Sequence, residues 1–99
     1  MATLEYSHRA EIGIVAIQDR IAQADPRAAV RVVERLQQSA DLVARFPLIG
    51  RNGRVPGTRE LSVPNVPYFL VYEPIKDGVR VLDIVHARRN WPPIDPPAG

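Results

Sequence analysis

Tyr68-Phe-Leu-Val-Tyr-Glu73 and Val79-Arg-Val-Leu-Asp-Ile-Val-His86 are the stretches that decide the fold. Each is a strand-length run of aromatic, β-branched and aliphatic residues. The segment between them, Pro74 to Gly78, contains Asp77-Gly78 and reads as a hairpin connection. In the first run Tyr68 and Tyr72 share a side with Leu70, the pattern of core packing. In the second, alternation sets Arg80, Leu82, Ile84 and His86 on one side. Val79, Val81, Asp83 and Val85 take the other. Both sides are partly apolar, so alternation leaves open which one meets the core. Upstream, Thr58 to Val63 reads as another strand with Arg59, Leu61 and Val63 on one side. Pro64-Asn65-Val66-Pro67 turns the chain between them. Leu48 to Gly57, with Gly50, Gly53, Pro56 and Gly57, reads as a loop.

The first half follows a different period. Ala2 to Tyr6 reads as a short strand, and Ser7 offers a helix N-cap. Ala10, Ile14, Ile17 and Ile21 follow at helical spacing. Asp25-Pro26 is a second start signal, because proline suits the first helical position and aspartate can cap the free N–H groups. Ala29, Val33, Leu36, Ala40 and Val43 form the next apolar stripe, which Pro47 stops. So short a break implies an antiparallel helical hairpin. The fold class expected is α+β, in the order β-α-α-β-β-β, with the hairpin on one face of a small, mainly antiparallel sheet. The other face must then be solvated or bind something. Residues 1–92 read as one domain and residues 93–99 as a Pro-rich, frayed tail.

Composition narrows the function. The chain has 99 residues, 45% hydrophobic and 24% charged, and no cysteine. Disulfides, thiolate metal sites and a Cys nucleophile are excluded, and a cytoplasmic location is the simplest expectation. No apolar run approaches the ~18 residues of a membrane span, and no basic-then-apolar leader opens the chain. Two histidines, His8 and His86, are too few for a typical histidine-rich metal site. No cofactor is implied. Net charge is +2 but unevenly spread: residues 1–44 carry five Arg against six Asp/Glu, whereas residues 45–91 carry seven Arg and Lys76 against Glu60, Glu73, Asp77 and Asp83. The sheet half therefore suits a polyanion or an acidic protein. Arginine supplies twelve of the thirteen basic residues, and its fork binds carboxylate or phosphate bidentately.

The candidate target- or anion-binding residues are Arg51, Arg54, Arg59, His86, Arg88, Arg89 and Trp91. Arg51 and Arg54 lie among glycines and could clamp phosphate, although no P-loop Gly-Lys-Ser/Thr follows. Arg59 beside Glu60 on a strand reads more readily as cross-strand pairing. His86 could act as an acid or base near neutral pH, but a hydrogen bond to the last turn is the favoured reading. Arg88 and Arg89 are target contacts or a solvated chain end, in equal measure. Trp91 could stack on a base, but anchoring the C-terminal segment suits its apolar bulk better. His8 is expected to be exposed. No Ser/His/Asp arrangement and no HExxH metal motif is present.

As written, Asp25-Pro-Arg-Ala-Ala29, Arg45-Phe-Pro47, Gly50-Arg51, Arg54-Val-Pro-Gly-Thr-Arg-Glu-Leu61, Pro67-Tyr-Phe-Leu-Val-Tyr72 and His86-Ala-Arg-Arg-Asn-Trp-Pro92 resemble the RelE/ParE family of toxins from bacterial type II toxin–antitoxin pairs. The resemblance implies a helical hairpin on a compact sheet and a cognate antitoxin that covers the working surface. It also implies one of two activities. RelE-like members cut messenger RNA on the ribosome with basic residues of the sheet and C-terminus, and here Arg59, His86, Arg88 and Arg89 would be the catalytic candidates. ParE-like members inhibit DNA gyrase. RelE-like chains commonly carry Tyr-Arg-Leu-Val-Tyr on the third strand, where this chain has Phe69. That departure favours a ParE-like growth-arresting toxin of the plasmid-stabilisation type. A ribosome-dependent nuclease is the alternative, and a non-toxic, antitoxin-binding regulator is the second.

Overall fold

A computed structural model of the protein describes residues 2–92. The expected tail, residues 93–99, lies outside the described residues. The chain runs β1 (Thr3–Tyr6), α1 (His8–Ala24), α2 (Pro26–Arg45), β2 (Arg51–Asn52), β3 (Arg59–Ser62), β4 (Tyr68–Ile75) and β5 (Gly78–His86). The strands form one sheet in the order β1-β5-β4-β3-β2. Among the described residues only β1 against β5 is parallel; the other pairings are antiparallel. The α+β order expected from sequence is present, with β2 added at the edge.

The helix ends sit where the sequence marks them. Ser7 caps α1, its Oγ accepting from the Ala10 N–H at 3.1 Å and donating to the Leu82 carbonyl at 2.8 Å. Asp25 serves both helices. Its N–H bonds the Ile21 carbonyl to close α1, and its carboxylate accepts from the N–H groups of Arg27 and Ala28 to open α2. A single residue therefore turns the hairpin, with Pro26 at the first position of α2.

One face of the sheet packs against the hairpin. Tyr68, Leu70 and Tyr72 of β4 meet Val79, Val81 and Ile84 of β5 there, beneath Ala10, Ile17, Leu36, Ala40 and Val43. Ile84 breaks the simple alternation expected for β5. Val71 pairs with Asp83 but Tyr72 pairs with Val81, so Leu82 is an extra residue, a β-bulge. The bulge moves Val85 to the far side while Val79 and Val81 remain on the helix side. The far side is not simply solvated. Phe69, Val71 and Val85 are buried there, with Leu82 and Trp91 packed against them.

The β4–β5 turn also differs in detail. Ile75 pairs with Gly78, so the turn residues are Lys76 and Asp77, and Asp77 takes the left-handed φ of 62°. Gly78 is needed for another reason: a Cβ there would run into the Thr3 backbone, where β1 lies against β5. Pro74 continues β4 beyond the end of β3, where β4 has a neighbour on one side only. That is the setting in which a strand tolerates proline.

Candidate functional site

The two faces of the sheet divide the candidate residues. On the far face, Glu60 projects beside Val71, buried to 2% exposure and ringed by loop arginines. Its Oε1 takes Arg51 at 2.9 Å and Arg54 at 3.4 Å. Its Oε2 accepts the Arg54 backbone N–H at 3.0 Å. Burial alone would raise the Glu60 pKa. The hydrogen bonds from Arg54 and Arg51 and their positive charges outweigh it, so the carboxyl titrates below its ordinary value.

This clamp folds the glycine-rich loop over the sheet. The Arg54 guanidinium carbon then sits 5.4 Å from the centre of the Phe69 ring, a cation–π contact. Its NH1 donates to the Trp91 carbonyl at 3.1 Å. Arg54 thus joins the loop, the aromatic floor and the C-terminal segment. Trp91 is partly buried against Phe69, Val71, Val85 and Leu82, which agrees with its reading as an anchor. Its Nε1–H is buried with no hydrogen-bond partner among the described residues.

Glu60 should therefore matter most above acidic pH. A group with a depressed folded pKa contributes stability that is complete above its unfolded pKa and is lost as pH falls through the folded value. Glu60→Gln is expected to cost about 2–3 kcal/mol at pH 7, the scale of hydrogen bonds to a charged group. The difference between variant and parent should shrink as pH falls below about 4.3, the ordinary glutamate value. Urea melts across pH 3–7 check this; a gap that stays constant with pH would mean that the charge of Glu60 is not what holds the loop.

Arg59 points to the helix side and closes the start of the loop. Its NH1 donates to the carbonyls of Gly50, at 2.8 Å, and Leu48, at 3.2 Å. Beside it the buried Tyr72 hydroxyl donates to the Pro47 carbonyl at 2.8 Å and accepts the Gly50 N–H at 2.9 Å. Burial pushes the Tyr72 pKa up, against the opposing effects of the Gly50 bond and the Arg59 charge. Gly50 has no room for a Cβ, which would meet both the Tyr72 hydroxyl and the Glu60 carbonyl.

His86 lies on the helix side, at the other end of β4. Its ring meets Tyr68 edge-on with centroids 5.4 Å apart, and the Tyr68 hydroxyl takes a hydrogen bond from Arg20. His86 Nδ1 accepts the Arg88 N–H at 3.1 Å, and its carbonyl accepts the Arg89 N–H at 2.9 Å. The favoured reading, a histidine bonded to the last turn, matches this geometry. That bond engages the Nδ1 lone pair and favours the Nε2–H tautomer of the neutral ring. Arg59 and His86 do not converge. Their β4 partners, Tyr72 and Tyr68, are four residues apart, about 13 Å along a strand.

The C-terminal arginines project from the turn after β5. Among the described residues the exposed Arg88 guanidinium has no ion-pair partner. Arg89 lies 4.0 Å from buried Asp83, which Arg9 of α1 already pairs at 3.2 Å. His8 is exposed, as expected. No group of three metal-ligating side chains comes together among the described residues, and no helix there is long and apolar enough to cross a membrane. Sequence reasoning missed Arg20, Asp83 and the buried state of Glu60. A carboxylate with arginines six and nine residues upstream was the available signal for the clamp.

The family model of the ParE toxin of the type II toxin–antitoxin system parDE matches residues 4–91. The chain belongs to the ParE toxin family. It is 38% identical to toxin RelE2 of Caulobacter vibrioides over 90 residues, covering 90% of this chain and 99% of that relative. With the Y4kP protein of Sinorhizobium fredii it shares 41% identity over 70 residues, 71% of this chain and 72% of the relative. A chain from the chromosomal ParDE TA system of P. aeruginosa superposes with a TM-score of 0.78 at 21% identity, over 89% of this chain and 98% of that one. At that identity the likeness speaks for the fold. The RelE/ParE resemblance read from the motifs is thereby met, and the protein is a type II toxin of this family.

Proposed function

We propose that this ParE-family chain arrests growth by binding and inhibiting DNA gyrase, without cutting RNA, and that a cognate antitoxin neutralises it. One observation carries the choice of branch. The strand position where RelE-like chains commonly place an arginine holds Phe69, buried beneath Arg54 and beside Trp91. Cleavage by a 2′-hydroxyl needs a base, an acid and a cation assembled on one phosphate. Here Arg59 and His86 stand far apart, and His86 Nδ1 is engaged by the Arg88 N–H. A binding toxin needs only a rigid surface with charge at its rim. Arg88 and Arg89 supply that rim, since Arg51 and Arg54 are engaged by Glu60, and Trp91 fastens the C-terminal segment that carries it.

Purified toxin is expected to inhibit gyrase supercoiling of relaxed plasmid, with full relief on addition of antitoxin. Primer extension on messenger RNA after brief expression should show intact transcripts. Cuts in the ribosomal A site together with unimpaired supercoiling would replace this reading by the nuclease one. Normal colony formation on expression without antitoxin would point to the non-toxic regulator.

A further inference from the structure

Helix α1 has a second apolar stripe that the fold does not use. Ala10 and Ile17 enter the core, but Ile12 and Val15 stand on another side of the helix, each 55% exposed. They floor a shallow concavity of about 430 Å³ lined by His8, Glu11, Ile12, Val15, Ala16 and Asp19. A surface helix ordinarily gives its outer face to polar residues. Here the centre of that face is aliphatic and its ends are polar.

The spacing of His8, Ile12, Val15 and Asp19 is four, three, four, the step of a coiled-coil seam. The series is also symmetric about the midpoint between Gly13 and Ile14. Two copies of α1 laid antiparallel across a twofold axis would set Ile12 of each against Val15 of the other. His8 of each would face Asp19 of the other, twice. An isologous interface requires a patch complementary to itself in this way. A parallel arrangement would instead set Asp19 against Asp19.

We propose that this face is a self-association surface and that its occupant is α1 of a second copy of this chain, antiparallel. One face of a 17-residue helix falls short of the roughly 1,200 Å² that stable complexes bury, so the dimer is weak and concentration-dependent. The proposal does not depend on gyrase being the target.

Sedimentation equilibrium on the full chain, free of any partner, tests it between roughly 10 μM and 1 mM. The average mass should rise with concentration from the 11.0 kDa monomer toward the dimer. Val15→Glu and Ile12→Glu should each stay monomeric throughout while melting at nearly the parent temperature, because both positions are exposed. Asp19→Lys should weaken association roughly tenfold, since the twofold axis counts its loss twice. The double variant His8→Glu with Asp19→Lys should recover most of it. A parent that stays monomeric to 1 mM overturns the proposal. So does a dimer indifferent to Val15→Glu, which would lie on another surface. A double variant no better than Asp19→Lys alone overturns the antiparallel arrangement. If Val15→Glu abolishes antitoxin binding while the parent never self-associates, the face belongs to the antitoxin and the proposal fails.

Discussion

Trp91→Ala is expected to destabilise the protein by about 3 kcal/mol, the low end for a buried aromatic because Trp91 is only partly covered. For a domain of this size that corresponds to a fall of roughly 12–24 °C in Tm. The loss has a specific route. Trp91 completes the small apolar cluster of Phe69, Val71 and Val85 on the sheet face that the helices do not cover. Without the indole, the Arg54 contact to the Trp91 carbonyl has no fixed target, and Phe69 loses a neighbour on its exposed side. Trp91→Phe is the informative companion. The indole Nε1–H is buried without an acceptor among the described residues, so phenylalanine removes that donor while keeping most of the ring. It should cost under about 1 kcal/mol. Thermal melts of the two variants separate packing from hydrogen bonding. Equal losses in both, or a Trp91→Ala protein as stable as its parent, would show that the C-terminal segment is not anchored through this ring.

Local signals carried most of the fold. Ser7 and Asp25-Pro26 mark helix starts because capping chemistry is written into two or three adjacent residues, and both act as caps here. Tyr68, Leu70 and Tyr72 were legible as one buried side because β4 keeps its alternation through them. What was hidden depends on partners distant in sequence. The Leu82 bulge lies where β1 ends opposite Val81, and there the Ser7 hydroxyl, at the start of α1, donates to the Leu82 carbonyl. No pattern within β5 announces that. The glycine of Asp77-Gly78 reads as a turn residue, yet it is required by the parallel neighbour β1, seventy-five residues away in sequence. β2 is two residues long, too short for any periodicity, and is placed by its pairing with β3. At the candidate site the residue types were visible and their grouping was not. His86 and Trp91 are five residues apart in sequence, but they pack against opposite faces of the sheet. Arg51 and Arg54 read as candidate phosphate clamps, yet they donate to Glu60 and to the Trp91 carbonyl; Arg59, read as a cross-strand partner, instead donates to the loop carbonyls of Leu48 and Gly50.

That internal use of the loop arginines concentrates the expected functional effect on Arg88 and Arg89. Arg88→Ala with Arg89→Ala should abolish growth arrest while leaving the fold intact. The stability side follows from geometry. Arg88 is exposed without an ion-pair partner among the described residues. Arg89 stands 4.0 Å from Asp83, a long contact, with its own side chain half exposed to screening water, so about 1 kcal/mol is expected from it. Asp83 keeps the Arg9 ion pair at 3.2 Å, and its Oδ1 accepts the Ile84 N–H at 2.8 Å; Oδ2 has no hydrogen bond among the described residues, so Arg9 is what balances the charge in the variant. The double variant should therefore melt within a few degrees of its parent. The functional side follows from charge. Losing two charge-assisted contacts to an acidic target surface, at about 1.5–3 kcal/mol each, would weaken target binding at least 100-fold. Colony counts on induction and supercoiling inhibition measure the loss, and circular dichroism melts measure the fold. Arg54→Ala should give the opposite pattern, a clear fall in Tm, because Arg54 ties Glu60, Phe69 and Trp91 together. If the double-arginine variant remains fully toxic, the working surface lies elsewhere on the molecule. If it melts as early as Trp91→Ala, these arginines hold the fold and do not read a target.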